Sequence, residues 1–254
     1  MIINSNNKII NTNWSAGNGL KLDAVNDYIN LGNILNFTLA TPFSISIIAY
    51  TTVSFTTRGQ IIYSKFYNDR GYYITLNKDR SGLILRTVVG AANYTYKVVI
   101  SNFSTEDYKY FTCTYDGLNT LDSINIYEKG ELNETSVEKN NGATNITTAD
   151  NLILGNLTPI GSFKFAGIIY DIKVFDKELT KAEVTKLYQT QGQLIPASAI
   201  ANLVADWRFD QKAGTVLKDY SGNVYNGTLT NFETTSNLGG GAWVDKYGNP
   251  ITQY

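Results

Sequence analysis

The chain has 254 residues, 43% of them apolar, and a formal net charge of −1, which gives room for one large all-β domain or two small ones. A near-neutral balance argues against a nucleic-acid binder, which carries a basic stripe to meet phosphate. The absence of His excludes Ser-His-Asp and Cys-His catalysis, His-ligated zinc or iron, and His-based pH switching.

From the N-terminus, Met1 to Asn13 is Asn-rich and holds no apolar stretch of signal-peptide length. No run of eighteen apolar residues follows, so no membrane insertion is expected. The expectation is a protein made in a cytoplasm. Eight Asn-x-Ser/Thr triplets, at Asn13, Asn36, Asn93, Asn102, Asn133, Asn145, Asn156 and Asn226, are read as by-products of an Asn- and Thr-rich composition that stay bare without secretion. The lone Cys113 forms no internal disulfide, so an oxidising compartment is not required. Any metal would be held by oxygen, as calcium, magnesium and manganese are.

Eighteen Tyr and eleven Phe, with abundant Thr, Ile and Val, favour sheet, and Gly and Asn supply turns. In Phe43-Ser44-Ile45-Ser46-Ile47 the apolar residues share one face and the serines the other. Further strands are predicted over 60–66, 72–77, 83–89, 94–100, 108–115, 123–127, 152–154, 168–175, 203–209 and 228–230. That spacing, with turn signals between, suits a sandwich or barrel. Asp79-Arg80-Ser81-Gly82 and Glu128-Lys129-Gly130-Glu131 read as hairpin turns, each with a Gly free to take positive φ. One short helix is expected near 180–189. Thr180-Lys181-Ala182-Glu183 is a capping box, Val184, Leu187 and Tyr188 form an apolar stripe, and Gly192 can close the end.

Several runs resemble the laminin-G-like jelly rolls of the concanavalin A-like lectin/glucanase superfamily. They are Gly19-Leu20-Lys21-Leu22-Asp23-Ala24-Val25-Asn26-Asp27-Tyr28-Ile29, Thr114-Tyr115-Asp116-Gly117, Gly130-Glu131-Leu132, and Phe165-Ala166-Gly167 through Phe175. The resemblance spans roughly Gly19 to Tyr188 and implies a two-sheet antiparallel jelly-roll sandwich. It implies a mostly non-catalytic binder of glycans or proteins. Glucanase relatives carry a Glu-x-Asp-x-x-Glu strand that sets two carboxylates on one face. No such spacing occurs here, and Glu128, Glu131 and Glu134, the nearest approach, read as a solvated edge beside a turn.

The order of pieces is unusual. Asn202-Leu203-Val204-Ala205-Asp206-Trp207-Arg208-Phe209-Asp210, followed by Asp219-Tyr220-Ser221-Gly222-Asn223 and Asn226-Gly227-Thr228-Leu229-Thr230, resembles the family's usual first strand and the loop and strand after it. Residues 1–231 are therefore read as one sandwich in which 202–231 supplies that strand, permuted within the chain or swapped with a neighbour. Residues 203–209 should pair antiparallel with 168–175. The tail 232–254, through Gly239-Gly240-Gly241, has no expected place in the sandwich, so Trp243, Tyr247, Ile251 and Tyr254 are expected to contact a neighbouring subunit, or else to fold back.

Two sites are singled out. Asp219, Asn223 and Asn226 cluster oxygen around a turn-forming Gly and are candidate calcium ligands, against a plain Asx turn. Tyr67, Asn68, Asp69, Arg70, Tyr73, Tyr94 and Tyr96, with Tyr72 among them, are candidate sugar-stacking residues, against core or cross-strand packing. The expected function is a non-catalytic virion protein, a fibre or capsid decoration, with a lectin-like glycan-adhesion domain. Its partners would be other virion proteins or copies of itself in a homo-oligomer, and a cell-surface glycan. The alternative is a stand-alone carbohydrate-binding module of a bacterial surface protein or glycan-degrading system, extracellular or at the cell surface.

Overall fold

The computed structural model describes residues 2–3, 9–10, 17–51, 60–68, 70–87, 93–100, 108–140, 142–157, 163–232 and 243–251. Ile2–Ile3 pairs with Ile9–Ile10 in a sheet of its own. The remaining strands form two sheets, antiparallel throughout, so the expected two-sheet sandwich is present. The first, of eight strands, runs Glu131–Leu132, Ile124–Glu128, Lys109–Tyr115, Phe43–Tyr50, Ala166–Phe175, Gly19–Asp23 and Trp243–Val244. Its eighth strand, Leu203–Trp207, lies beside Ala166–Phe175, end to end with Gly19–Asp23. The second, of nine, runs Ser136–Asn140, Asn93–Ile100, Arg80–Thr87, Arg70–Leu76, Ile61–Tyr67, Ile153–Leu154, Tyr28–Asn30, Gly227–Thr230 and Val216–Leu217.

The core lies between the sheets and follows from alternation along each strand. Ile45, Ile47, Phe111, Cys113, Ile172 and Val174 come from one sheet; Tyr63, Tyr72, Ile74, Leu83 and Leu85 come from the other. Phe37 stacks on Phe43 at 4.8 Å, and Tyr72 and Tyr115 tilt against the same ring. Both tyrosine hydroxyls find backbone acceptors, Tyr72 at the Leu35 carbonyl and Tyr115 at the Leu39 carbonyl. The rings are thus buried without stranding a polar atom.

The helix forms at Lys181–Gln189, with both capping-box bonds between Thr180 and Glu183 in place. Two residues close its end. Gln191, at φ 53, and Gly192, at φ 70, are both left-handed, and they donate their amides to the Tyr188 and Leu187 carbonyls, as in a Schellman motif. Gly192 thus closes the helix as expected, together with Gln191 before it. Val184 and Leu187 pack with Ile48, Tyr110, Tyr170 and Phe175 on the outer face of the eight-stranded sheet, a second apolar cluster.

Of the two hairpins, Glu128–Glu131 is as expected, with Lys129 at φ 52 and Gly130 at φ 78, both positive as a type I′ turn needs. The other is corrected. Its turn spans Asn77 to Arg80, and Gly82 sits inside a strand, where an added Cβ would meet the Lys97 carbonyl oxygen at 2.5 Å. Gly82 is selected by close strand approach, not by turn chemistry.

The C-terminal segment pairs with the expected strand, Ile172 opposite Trp207, Lys173 opposite Asp206 and Val174 opposite Ala205, and alternation would place Leu203, Ala205, Trp207 and Phe209 on one face. A register shift at Val204 breaks the pattern. Ala205, Trp207 and Phe209 enter the main core, but Leu203 turns to the helix-side cluster and Val204 packs on the core instead. Gly227–Thr230 crosses to the other sheet and pairs with Tyr28–Asn30. The tail takes the fold-back alternative. Trp243–Val244 pairs with Gly19–Asp23, Trp243 is buried, and Ile251 packs on the core. A two-residue strand and one large ring suffice to give the tail a place in its own sandwich. Tyr247 remains exposed, and Tyr254 lies outside the described residues.

Candidate functional site

Cross-strand register sorts the candidate aromatics. Ser64, Tyr73, Ile84 and Tyr96 stand opposite one another on four neighbouring strands, so they share the outer face of the nine-stranded sheet. Phe66, Gly71 and Arg86 occupy the next row of that face, and Tyr94 pairs with Arg86 in backbone register. Tyr73 and Tyr96 are half-buried. The Phe66 ring meets Tyr73 edge-to-face at 5.3 Å, and the Arg86 guanidinium lies 5.7 Å from the Phe66 centroid, within cation–π reach. Gly71, at φ +135, makes this possible, since an added Cβ there would come within 2.0 Å of the Lys65 carbonyl oxygen.

Not all candidates join this face. Tyr72 is fully buried and belongs to the core. Tyr67 and Arg70 pair at the tip of a hairpin whose turn holds Asn68 at φ 45. All three are exposed, and by alternation Tyr67 and Arg70 lie on the side opposite Tyr73. Asp69 lies outside the described residues. Phe66 and Arg86 complete the platform, and sequence reasoning missed them. The signal was available only through register, because Phe66 is an ordinary apolar strand residue until Arg86 is placed beside it.

Beneath the platform, Lys65 is buried and donates to Asn33 Oδ1 at 2.7 Å and to the Asp150 carbonyl. Burial pulls its ammonium down to about 8, against the opposing pull of Asp150. The bonds tie two loops to the sheet and leave no nucleophile facing solvent.

The candidate calcium loop uses its oxygens internally. Asp219 Oδ1 accepts from the Asp206 and Ser221 amides, and Oδ2 accepts from the Ser221 hydroxyl and the Tyr225 amide. Asn226 Oδ1 accepts from the Asp219 amide, and Asn223 turns its amide nitrogen to the Val204 carbonyl. This is the Asx-turn arrangement, a carboxylate satisfied by donors of its own loop. Among the described residues no group of three or more Cys, Asp or Glu side chains is placed to hold a metal ion.

The carboxylates nearest a glycosidase pattern do not converge. Glu128 accepts from Ser81 and Asn133, and Glu131 pairs at 2.9 Å with Lys181 on the helix. Glu134 is exposed.

Two antiparallel sheets around one core, with a half-exposed aromatic face and a capped helix on the opposite side, define a lectin-type jelly roll. The chain belongs to the concanavalin A-like lectin/glucanases superfamily, whose laminin-G family model matches residues 23–185. Among solved structures it is similar to a protein from Bacteroides ovatus assigned provisionally as carbohydrate binding, with a TM-score of 0.58 and 18% identity over 84% of this chain. The chain spans 58% of that structure's length. It is also similar to the heptameric SAP-like pentraxin of Limulus polyphemus, with a TM-score of 0.52, 11% identity, and coverage of 70% of this chain and 84% of that one. At these identities the likeness is one of fold. No curated protein matches the chain.

Proposed function

We propose that this chain is a non-catalytic, lectin-like domain that binds glycan on the outer face of its nine-stranded sheet. The observation that carries this reading is the placing of half-exposed Tyr73 and Tyr96 on one row, beside the Phe66–Arg86 pair. Aromatic faces stack on sugar rings, and an arginine supplies fixed donors for sugar oxygens. The family and the provisional assignment of the Bacteroides ovatus relative support it. The scattered, internally bonded carboxylates support the absence of catalysis.

A glycan array probed with the full chain tests the reading. Tyr73→Ala and Tyr96→Ala should each weaken binding about tenfold, on the order of 1.4 kcal/mol, while Tyr67→Ala on the other side should not. Binding unchanged by both substitutions, or no binding to any glycan, would overturn it. Incubation with β-glucans should release no reducing sugar above a buffer control.

The setting proposed is a virion fibre or capsid decoration in which copies of the chain assemble together. Mass spectrometry of purified particles should find the chain there, and native mass should exceed that of one copy. A single copy recovered from a bacterial surface fraction would instead favour a carbohydrate-binding module.

A further inference from the structure

Outside the glycan-binding face, four charged side chains meet where the C-terminal segment joins the long strand. Lys173, on Ala166–Phe175, stands directly opposite Asp206, on Leu203–Trp207. The side chains of both are almost wholly buried, at 2% and 1% exposure, and that of Asp171 is 10% exposed. Lys173 Nζ donates to both oxygens of Asp171, at 2.7 and 2.6 Å. It also lies 2.9 Å from Asp206 Oδ1, yet off the direction of a hydrogen bond, so that Oδ1 has no hydrogen-bond partner. The other oxygen, Oδ2, accepts from Arg208 Nε at 2.9 Å and Nη2 at 2.7 Å. The loop after the helix closes over the group. An added Cβ on Gly192 would stand 3.3 Å from Asp171 Oδ1 and 3.4 Å from Lys173 Nζ.

We propose that Lys173 and Asp206 are the partners of an intramolecular isopeptide bond that ties the C-terminal strand covalently to the long strand. The parts needed are in contact. Asp171 takes a proton from Nζ, and the freed amine attacks Asp206 Cγ, whose Oδ1 lies 2.9 Å from Nζ. Arg208, with two donors on Oδ2, stabilises the negative charge that builds there in the tetrahedral intermediate. Asp171 then delivers that proton to Oδ1, takes the second from the nitrogen and passes it to the same oxygen, which leaves Cγ as water. A C–N bond forms and a C–O bond breaks. Two protons leave Nζ and both end on Oδ1, so an ammonium and a carboxylate become an amide and one water, with no oxidant or nucleotide consumed.

Condensation is disfavoured in bulk water, and three features favour it here. The reacting groups are held together by strand register, which removes the entropic part of the barrier. The site excludes solvent. The neutral amide also replaces two buried charges, each of which is costly to keep desolvated. Burial raises the Asp171 carboxyl to about 6, with Lys173 pulling the other way. Burial pulls the Lys173 ammonium down, but Asp171 and Asp206 prevail and hold it above its ordinary value. Proton transfer is therefore the demanding step, and the raised carboxyl only narrows the gap.

Intact-mass spectrometry of the full chain, followed by tryptic digestion, tests the proposal. The expected result is a mass one water below that of the sequence, and a branched peptide joining the segments that hold Lys173 and Asp206. A succinimide at Asp116-Gly117 would lose the same mass, so the digest decides. Recovery of the Lys173 and Asp206 segments only as separate linear peptides would overturn the proposal, whatever the intact mass. Asp171→Ala, which keeps both partners and removes the proton carrier, should return the full sequence mass, as should Lys173→Arg. A branched peptide at undiminished yield in Asp171→Ala would overturn the mechanism. Both readings of the wild-type digest stand even where a variant fails to fold.

Discussion

Glu183 ties the first turn of the helix to the loops on either side of it. Burial alone would raise its carboxyl, but bonds from Lys177, Ser198 and the Thr180 amide prevail and hold it at about 2. A depressed folded-state pKa adds stability above the unfolded value of 4.5, and that stability is lost as pH falls toward 2. Glu183→Gln should therefore cost on the order of 1–2 kcal/mol near neutral pH once solvent screening of the Lys177 pair is allowed for, and urea titrations from pH 6 to 2.5 should show the gap between variant and parent closing. A gap constant with pH would assign the loss to packing instead. Cys113 offers a second readout. It is fully buried, and burial pushes its thiol up to about 12. A thiol reagent should label it only as fast as the sandwich opens, and labelling within seconds in native buffer would contradict the burial. The capping box was legible from Thr180 and Glu183 because its bonds are local. The partners Lys177 and Ser198 come from flanking loops, and no sequence rule placed them there.

The C-terminal segment is the element on which the fold depends most visibly. Trp207 is completely buried, and its Nε1 donates to the Tyr225 carbonyl at 2.8 Å, closing the loop behind its own strand. Trp207→Ala should cost about 3–5 kcal/mol, the range for removing a large aromatic from a core, measured by equilibrium denaturation. A loss below about 1 kcal/mol would mean that the segment is not part of the cooperative core. The resemblance to the family's first strand, supported by alternation, was enough to predict which strand it joins. The slip at Val204 was not legible, because a single extra residue changes no local propensity and is set by the partner strand. The same holds for Gly82, which looks like a turn glycine in sequence and is a packing glycine in the sheet.

At the scale of the molecule, the family match ends at residue 185, while strands from beyond it enter both sheets. Deleting residues 202–254 should expose the inner faces of Ile172 and Val174 and the edges of both sheets. The remainder should aggregate, as unpaired edges and apolar strips do. A shortened chain that stays monodisperse and as heat-stable as the parent would refute the dependence. Removing only 233–254 takes away Trp243, whose Nε1 donates to the Gly214 carbonyl, and should lower the melting temperature without abolishing folding.

Composition and period-2 alternation determined that this chain folds into sheets, because both depend on residues next to each other in sequence. The capped helix and the strand 203–207 were determined in the same way. Tertiary structure decided which of the tyrosines share a face. Tyr72 and Tyr73 are adjacent and chemically identical, yet one fills the core and the other lies half-exposed on the outer surface. Which of the two points inward depends on the register between strands, fixed by the burial of all of them together. The same register sets Asp206 against Lys173 from 33 residues away in the chain, a meeting that neither residue's local sequence could announce.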